Sequence, residues 1–78
     1  MQIELRVYTG LERFTGTKYG ELIPVQIAEG TTILDVLKKY GIPEEEVFTS
    51  LVNGLHKSFD TILQDGDRVA LFPPVGGG

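Results

Sequence analysis

The sequence predicts an α+β fold in which one main helix packs on one face of a mixed sheet of about five strands. Two segments, Ile3 to Tyr8 and Glu21 to Ala28, alternate apolar and polar residues with the two-residue period of a half-buried strand. Between residues 32 and 41, apolar residues recur every three or four positions, which is the spacing of an amphipathic helix. Asn53-Gly54 is a strong signal for a two-residue hairpin turn.

The region between the first two predicted strands is the least determined part of the chain. Leu11 to Phe14 form a short apolar piece between glycines, which could be a helical turn or part of a long hairpin loop. In the second strand, Pro24 lies on the opposite phase from the apolar residues. Because proline has no backbone N–H, it favours an edge strand.

The predicted helix has recognisable ends. Thr32 is expected to cap its N-terminus, with Asp35 in the position of the reciprocal acceptor of a capping box, and Gly41 is expected to end it. Pro43 and the three acids Glu44 to Glu46 then suggest a new helical start, since proline and acids favour a first turn. The acidic triplet could also be considered as a metal site, but the helical start is preferred and no metal site is predicted.

Three more strands complete the predicted sheet. Thr49 to Val52 should pair through the Asn53-Gly54 turn with a return strand from about His56 to Phe59. A bend at Asp60 to Leu63 and a tight turn at Asp65-Gly66-Asp67 lead to the last strand, Arg68 to Phe72. With the helix between the second and third strands, this order predicts a β-grasp, or ubiquitin-like, roll. The last strand should then lie centrally, beside the first.

Length and composition limit the classes of function. The 78 residues suffice for one small domain, predicted over 1–78 with residues 73–78 as a flexible tail. The chain contains no cysteine and one histidine, which argues against disulfides, thiolate metal sites and a cysteine nucleophile. A net charge of −4 argues against nucleic-acid binding. No apolar run is long enough for a membrane span and no signal peptide is visible, so a cytoplasmic protein is expected.

The final residues, Phe72-Pro73-Pro74-Val75-Gly76-Gly77-Gly78, are not explained by folding. Three glycines add no side chain to a core and lose much backbone freedom when they become ordered. They form a slender stalk carrying a carboxylate, which a narrow cleft in a partner could admit. The alternative is an ordinary frayed terminus.

The second half of the chain resembles the MoaD/ThiS family of ubiquitin-like sulfur carriers. The resemblance is carried by the turn motif and the ending, Asp60-x-x-Leu63-x-Asp65-Gly66-Asp67-x-Val69 followed by Phe72-Pro73-Pro74-Val75-x-Gly77-Gly78. It runs without a gap from Val52 to Gly78 and is looser over the first half. The ending is most similar to that of the small subunit of molybdopterin synthase.

The resemblance implies a carrier that is not an enzyme by itself and binds no cofactor. In the family, an E1-like adenylating enzyme of the MoeB/ThiF type uses ATP to adenylate the carboxylate that Gly78 would carry here. A sulfur donor then displaces AMP and leaves a thiocarboxylate. In molybdopterin biosynthesis the tail would insert into a MoaE-type large subunit of molybdopterin synthase and give its sulfur to a pterin precursor.

The resemblance also implies an apolar docking patch on the sheet around the tail. Phe72 matches its aromatic position, Tyr8 is a plausible second member, and both could instead pack in the core. The strand phase places Phe72 with Arg68 and Ala70 on the more exposed face, which favours docking. Two departures from the family are Gly76, where relatives have another small residue, and His56, where a bulky apolar residue is common. His56 is therefore expected to weaken or retune docking to the large subunit, and it is given no catalytic role.

Alternative functions remain open at this stage. The Pro73-Pro74 pair argues against a carrier for thiamine thiazole, whereas Gly41-Ile42-Pro43 and Asn53-Gly54 look more like the thiamine branch. A sulfur carrier for amino-acid biosynthesis is also possible. The same activated carboxylate would serve a ubiquitin-like modifier that forms isopeptide bonds with lysines. A binding β-grasp without tail chemistry is the simplest alternative.

Overall fold

The computed structural model describes residues 1–74. Within this range, five strands form one mixed sheet, namely β1 (Gln2–Val7), β2 (Ile23–Gln26), β3 (Thr49–Val52), β4 (Leu55–His56) and β5 (Arg68–Phe72). The helices of the described residues are α1 (Glu12–Thr15), α2 (Ile33–Tyr40) and a short 3-10 turn (Glu44–Glu46). None of them has the length and apolar character that crossing a membrane requires.

The strand order confirms the predicted β-grasp topology. Across the sheet the strands run β2-β1-β5-β3-β4, so β5 lies in the centre. It is parallel to β1, with Leu5 opposite Val69, and antiparallel to β3, with Val52 opposite the same residue. The last strand is therefore held on both sides by backbone hydrogen bonds before the chain leaves the sheet.

The hydrophobic core lies between one face of the sheet and α2. Alternate strand residues point toward the helix and are buried, among them Ile3, Leu5, Val7, Val69 and Leu71. The apolar side of α2 supplies Ile33, Val36 and Leu37, which are also buried. The two periodicities in the sequence thus meet in one layer, as the predicted fold requires.

The ends of α2 follow the predicted capping pattern. The Thr32 hydroxyl accepts a hydrogen bond from the Asp35 N–H at 3.2 Å, and the Asp35 carboxylate accepts one from the Thr32 N–H at 3.0 Å. Gly41 ends the helix in the left-handed conformation, with a φ of 68°. These bonds satisfy backbone groups that the helix itself leaves unpaired.

The segment between β1 and β2 contains a helical turn, which decides between the two predicted alternatives. Leu11 is fully buried and anchors this turn in the core. Arg13, on α1, forms an ion pair with Glu46 of the 3-10 turn. The acidic triplet therefore lies at the predicted local helical start. The strand β2 is shorter than the predicted range of 21–28.

The return strand predicted at His56 to Phe59 is wrong in its bounds, because β4 contains only Leu55 and His56. The Lys57 N–H still donates to the Ser50 carbonyl at 3.0 Å. Beyond it the chain leaves the sheet, since the Phe59 carbonyl accepts a hydrogen bond from Leu34 on α2 at 2.9 Å. The side chain of Phe59 packs against the core. This tertiary contact overrides the strand pattern.

The hairpin turn and the Asp65-Gly66-Asp67 turn lie side by side and are joined by hydrogen bonds. Asn53 and Gly54 both have positive φ, 54° and 83°, as the predicted primed hairpin turn requires. The Asn53 amide donates to the Asp67 carboxylate at 2.9 Å and its oxygen accepts from the Arg68 N–H at 3.0 Å. The other Asp67 carboxylate oxygen accepts from the Gln64 N–H at 2.8 Å. Part of the motif shared with the family is thus structural.

Candidate functional site

The sheet has a second face, which α2 does not cover, and we call it the open face. Its members alternate with the core residues and include Glu4, Arg6, Arg68, Ala70, Phe72, Thr49, Leu51 and His56. The register aligns them in rows across the strands. One row runs Arg6, Ala70, Leu51, His56, and the row on its tail side contains Phe72 and Thr49.

The predicted docking residues Tyr8 and Phe72 lie together on the open face. Their rings stack with centroids 4.5 Å apart and planes inclined by only 6°. Tyr8 comes directly after β1, one residue beyond the strand on which it was predicted. Its N–H nevertheless donates to the Leu71 carbonyl at 3.1 Å, which continues the ladder. A third ring, that of the exposed Tyr19, meets Tyr8 edge-on at 5.1 Å. We call Tyr8, Tyr19 and Phe72 the aromatic cluster.

Phe72 differs from its neighbour Leu71 in burial. Leu71 is fully buried in the core, whereas Phe72 is only half-buried on the opposite face. The Phe72 carbonyl accepts a hydrogen bond from the Phe48 N–H at 2.9 Å, which ties the end of β5 to the start of β3. The Phe48 side chain is 73% exposed. The half-buried ring of Phe72 is therefore part of the surface of the open face and not of the core.

The first two residues of the predicted tail come directly after the end of β5. The strand ends at Phe72, and Pro73 and Pro74, which have no backbone N–H, come next. Pro73 is half-buried and Pro74 is exposed. The remaining predicted tail residues lie outside the described residues, namely Val75, Gly76, Gly77 and Gly78. The flexibility of the tail therefore stays a prediction.

His56 occupies the outer end of the row that contains Arg6. It lies on β4, opposite Leu51, and its side chain is exposed. It also borders a shallow crevice with Phe48 and Phe59 at the edge of the sheet. The structure thus brings all three predicted docking residues to one face, with His56 at the side and the two aromatic residues nearer the tail.

Sequence reasoning missed several members of this face. Tyr19 lies in a loop without periodicity, so no local pattern could assign it. Its neighbour Gly20 has a φ of 67°, and its N–H donates to the Val7 carbonyl at 3.0 Å, which returns the loop to the end of β1. Arg6 and Leu51 could have been found, because strand alternation places them on the same face as Phe72 once the register is known.

The described part of the site suits binding more than bond-making chemistry. The chain contains no cysteine, and the rows nearest the tail present aromatic, aliphatic and cationic groups. Among residues 1–74, no three histidine or acidic side chains are grouped so that they could hold a metal ion.

Comparison with protein families gives one match over most of the chain. The model of the ThiS family matches residues 8–78, which include the aromatic cluster and the whole ending. A search among curated proteins finds none that matches significantly.

Solved structures share the fold over the whole chain. The solution structure of the HVO 2177 protein from Haloferax volcanii is 27% identical, with a TM-score of 0.76 and coverage of 100% of this chain and 87% of that one. SAMP1 from the same organism is 24% identical, with a TM-score of 0.73 and full coverage of both chains. A complex of subunits 1 and 2 of molybdopterin-converting factor from Helicobacter pylori contains a chain that is 23% identical, with a TM-score of 0.63 and full coverage of both.

Proposed function

The chain belongs to the ThiS family, and we propose that it is a sulfur carrier whose Gly78 carboxylate is adenylated and then converted to a thiocarboxylate. By itself the chain is a carrier and not an enzyme. The open face would bind the partner, and the tail would enter the partner's active site.

The proposed chemistry proceeds in balanced steps. The Gly78 carboxylate attacks the α-phosphorus of ATP, pyrophosphate leaves, and an acyl-adenylate forms. A persulfide sulfur then attacks the carbonyl carbon and AMP leaves, which gives an acyl disulfide. A second thiol cleaves the S–S bond, is itself oxidised to a disulfide, and releases the thiocarboxylate. The adenylating partner supplies the ATP site, so this chain needs no bound cofactor.

The observation that carries the proposal is the way in which the end of β5 is held. The Phe72 carbonyl accepts a hydrogen bond from the Phe48 N–H, and the Phe72 ring stacks on the Tyr8 ring. The tail therefore starts from a fixed point beside an aromatic surface. The six residues after Phe72, 73–78, can reach at most about 20 Å from that point. A docked partner therefore needs its reactive site within this distance of the aromatic cluster.

We propose that the acceptor of the carried sulfur is the pterin precursor of the molybdenum or tungsten cofactor. The support is the Phe72-Pro73-Pro74 ending, together with a fold shared with subunit 1 of molybdopterin-converting factor. In that structure subunit 1 is in complex with subunit 2, and we propose a MoaE-type large subunit as the second partner here. A carrier for thiamine thiazole or amino-acid biosynthesis would use the same activated tail with another acceptor.

A ubiquitin-like modifier is the second candidate. It would also start from an acyl-adenylate at Gly78, but the final nucleophile of the reaction would be a lysine amine of another protein. A solved relative of the same fold is described as small archaeal modifier protein 1. The two functions differ in the product, so intact mass distinguishes them.

The test is incubation of the chain with its cognate E1-like adenylating enzyme, ATP, a persulfide donor and a thiol. Intact mass should show exchange of one oxygen for one sulfur, and fragmentation should locate it on Gly78. Deletion of Gly78, or addition of one alanine after it, should abolish the exchange. Urea unfolding of both variants should match the unaltered chain, since the last described residues, Pro73 and Pro74, already lie beyond β5.

Three results would count against the proposal. Equal sulfur incorporation in the chain lacking Gly78 would place the modification elsewhere. Formation only of lysine conjugates, without thiocarboxylate, would favour the modifier. Absence of ATP-dependent activation of the unaltered chain would remove both. Adding the MoaE-type subunit and a pterin precursor then tests the pathway, because sulfur should leave the carrier only with the correct acceptor.

A further inference from the structure

The sheet ends at β4 in a crevice that the proposed function does not use. The crevice has a volume of about 270 Å³ and is lined by Phe48, Ser50, His56, Lys57, Ser58 and Phe59. Phe59 packs against the core, whereas the ring of Phe48 is largely exposed. In the part of the chain that the structure describes, no further strand covers this edge of the sheet. The crevice is therefore a partly apolar hollow that is open to solvent.

Lys57 supplies a positive charge at this crevice. Its side chain is exposed, and among residues 1–74 it forms no ion pair, because both ion pairs of that range use arginine side chains. Its backbone is fixed, since its N–H donates to the Ser50 carbonyl at 3.0 Å and its carbonyl accepts a hydrogen bond from the Ser50 hydroxyl. The ammonium group therefore keeps its three hydrogen-bond donors for a carboxylate from another part of the chain.

The tail starts beside the same crevice. Phe48 lines the crevice, and its N–H donates to the Phe72 carbonyl at 2.9 Å, so Phe48 borders the origin of the tail as well. Lys57 is bonded to β3, and β3 lies next to β5, so two strand spacings, or about 10 Å, separate Lys57 from β5. The six residues after Phe72 can reach about 20 Å. The carboxylate of Gly78 can therefore reach Lys57 along a path that turns.

Charge distinguishes two paths that the tail could take. Because β5 is antiparallel to β3, a straight continuation of β5 would run toward the 3-10 turn Glu44–Glu46. The three carboxylates of this turn outnumber the one arginine that is paired with them, so they would repel a terminal carboxylate. The other path crosses Phe48 into the crevice, where Lys57 would attract it. Glycines 76 to 78 have no side chains for the crevice to admit.

We propose that in the free chain residues 75–78 fold back over Phe48 and lie in this crevice, with the Gly78 carboxylate paired to the ammonium group of Lys57. That Gly78 carries a free carboxylate rests on the proposed function. Because the crevice and the tail belong to one chain, docking is intramolecular and a weak contact can populate it. A thiocarboxylate is also an anion and would be held in the same way. A partner must then displace the tail from the crevice before it reaches the carboxylate.

The experiment is nuclear magnetic resonance of the isotope-labelled full chain, alone and in low salt. A docked tail should give nuclear Overhauser contacts from the ring of Phe48 or Phe59 to Val75 or Gly77. The backbone order parameter of Gly77 should exceed about 0.6, the value below which a backbone is flexible. Lys57→Glu should remove the contacts and lower this order parameter below about 0.6, whereas Lys57→Arg should keep both, since it retains the charge. Salt at about 1 M should weaken the contacts by screening.

The matched control is Lys39→Glu, which makes the same charge change as Lys57→Glu on the exposed side of α2. It should leave the contacts and the order parameter of Gly77 unchanged. Phe48→Ala provides a second check, because it removes the ring between the origin of the tail and the crevice but keeps the backbone N–H, and it should also release the tail. Urea unfolding of each variant checks that the fold is intact, as expected for exposed side chains.

The outcomes separate the inference from the proposed function. An order parameter of Gly77 below about 0.6 in the unaltered chain, without contacts to either ring, would overturn the inference and confirm the predicted flexible tail, and adenylation would be unaffected. Contacts of the tail with Glu44–Glu46 would show the straight path and overturn it as well. Equal behaviour of Lys57→Glu and Lys39→Glu would overturn the pairing with Lys57. A docked tail in a chain that the adenylating enzyme does not activate would support the inference and count against the proposed function.

Discussion

Replacing Phe72 with alanine should weaken partner binding more than it weakens folding. The ring is half-buried and stacked on Tyr8 at 4.5 Å. Truncation of a fully buried phenylalanine costs about 3–5 kcal/mol, and an aromatic pair contributes about 0.5–1.5 kcal/mol beyond its area. Because the Phe72 ring is partly exposed and its backbone bond to Phe48 is kept, we expect a loss of about 2 kcal/mol in the free energy of unfolding.

The matched comparison is Leu71→Ala on the same strand. Leu71 is fully buried in the core, so its truncation to alanine should cost about 2–5 kcal/mol of unfolding free energy and should exceed the cost of Phe72→Ala. Urea unfolding followed by circular dichroism gives both values, provided that the dependence on urea concentration is unchanged. Titration with the adenylating enzyme should show the opposite order, with at least about a tenfold loss for Phe72→Ala and little change for Leu71→Ala at a temperature where both remain folded.

One pattern of results would refute this reasoning. If Phe72→Ala destabilised the protein more than Leu71→Ala and left affinity unchanged, Phe72 would belong to the core and the open face would lose its central aromatic residue. A Tyr8→Leu variant guards against an indirect effect, because it removes the stacking partner and leaves Phe72 in place. It should also weaken binding.

Three further predictions concern local structure. Hydrogen bonds from Thr32, first from its backbone N–H and then from its hydroxyl, lower the pKa of Asp35 below its ordinary value of 3.8. The stability that these hydrogen bonds contribute should therefore be complete above pH 3.8 and should be lost as the pH falls below it. Asp35→Asn should flatten this part of the pH profile of the free energy of unfolding. Asn53→Ala should cost about 1–2 kcal/mol in urea unfolding, and Asn53→Gly, which keeps the positive φ without the side chain, should separate the backbone contribution from the hydrogen bonds. Gly20→Ala should strain a residue at φ 67° and bring its Cβ within 3.0 Å of the Tyr8 ring, which should shift the Tyr8 ring resonances and lower the unfolding free energy by roughly 1 kcal/mol.

The topology could be predicted because its signals are local and agree with one another. Alternation defined β1, the Asn53-Gly54 pair fixed the hairpin, and the Thr32–Asp35 box marked the start of α2. Each signal depends on residues only a few positions apart, and the order of the elements then restricts the possible sheets.

The remainder depended on contacts between distant parts of the chain. The end of β4 is set by the hydrogen bond from Leu34 to Phe59, which no pattern around residue 56 can reveal. Likewise, the ring of Tyr19 reaches Tyr8 only because the intervening loop folds back at Gly20. The pairing of Arg6 with the row of His56 requires a register across four strands, and alternation alone gives a face but no row.

The parallel pairing of β1 with β5 has a consequence for quality control. Tyr8 directly follows β1 and Phe72 is the last residue of β5, so the aromatic surface exists only while these distant segments are paired. A chain in which β5 has detached loses the docking surface and the fixed origin of the tail in a single event. A partner that requires this surface would therefore discriminate against unfolded or misfolded copies before any ATP is used on them, which makes recognition and inspection of the fold the same step.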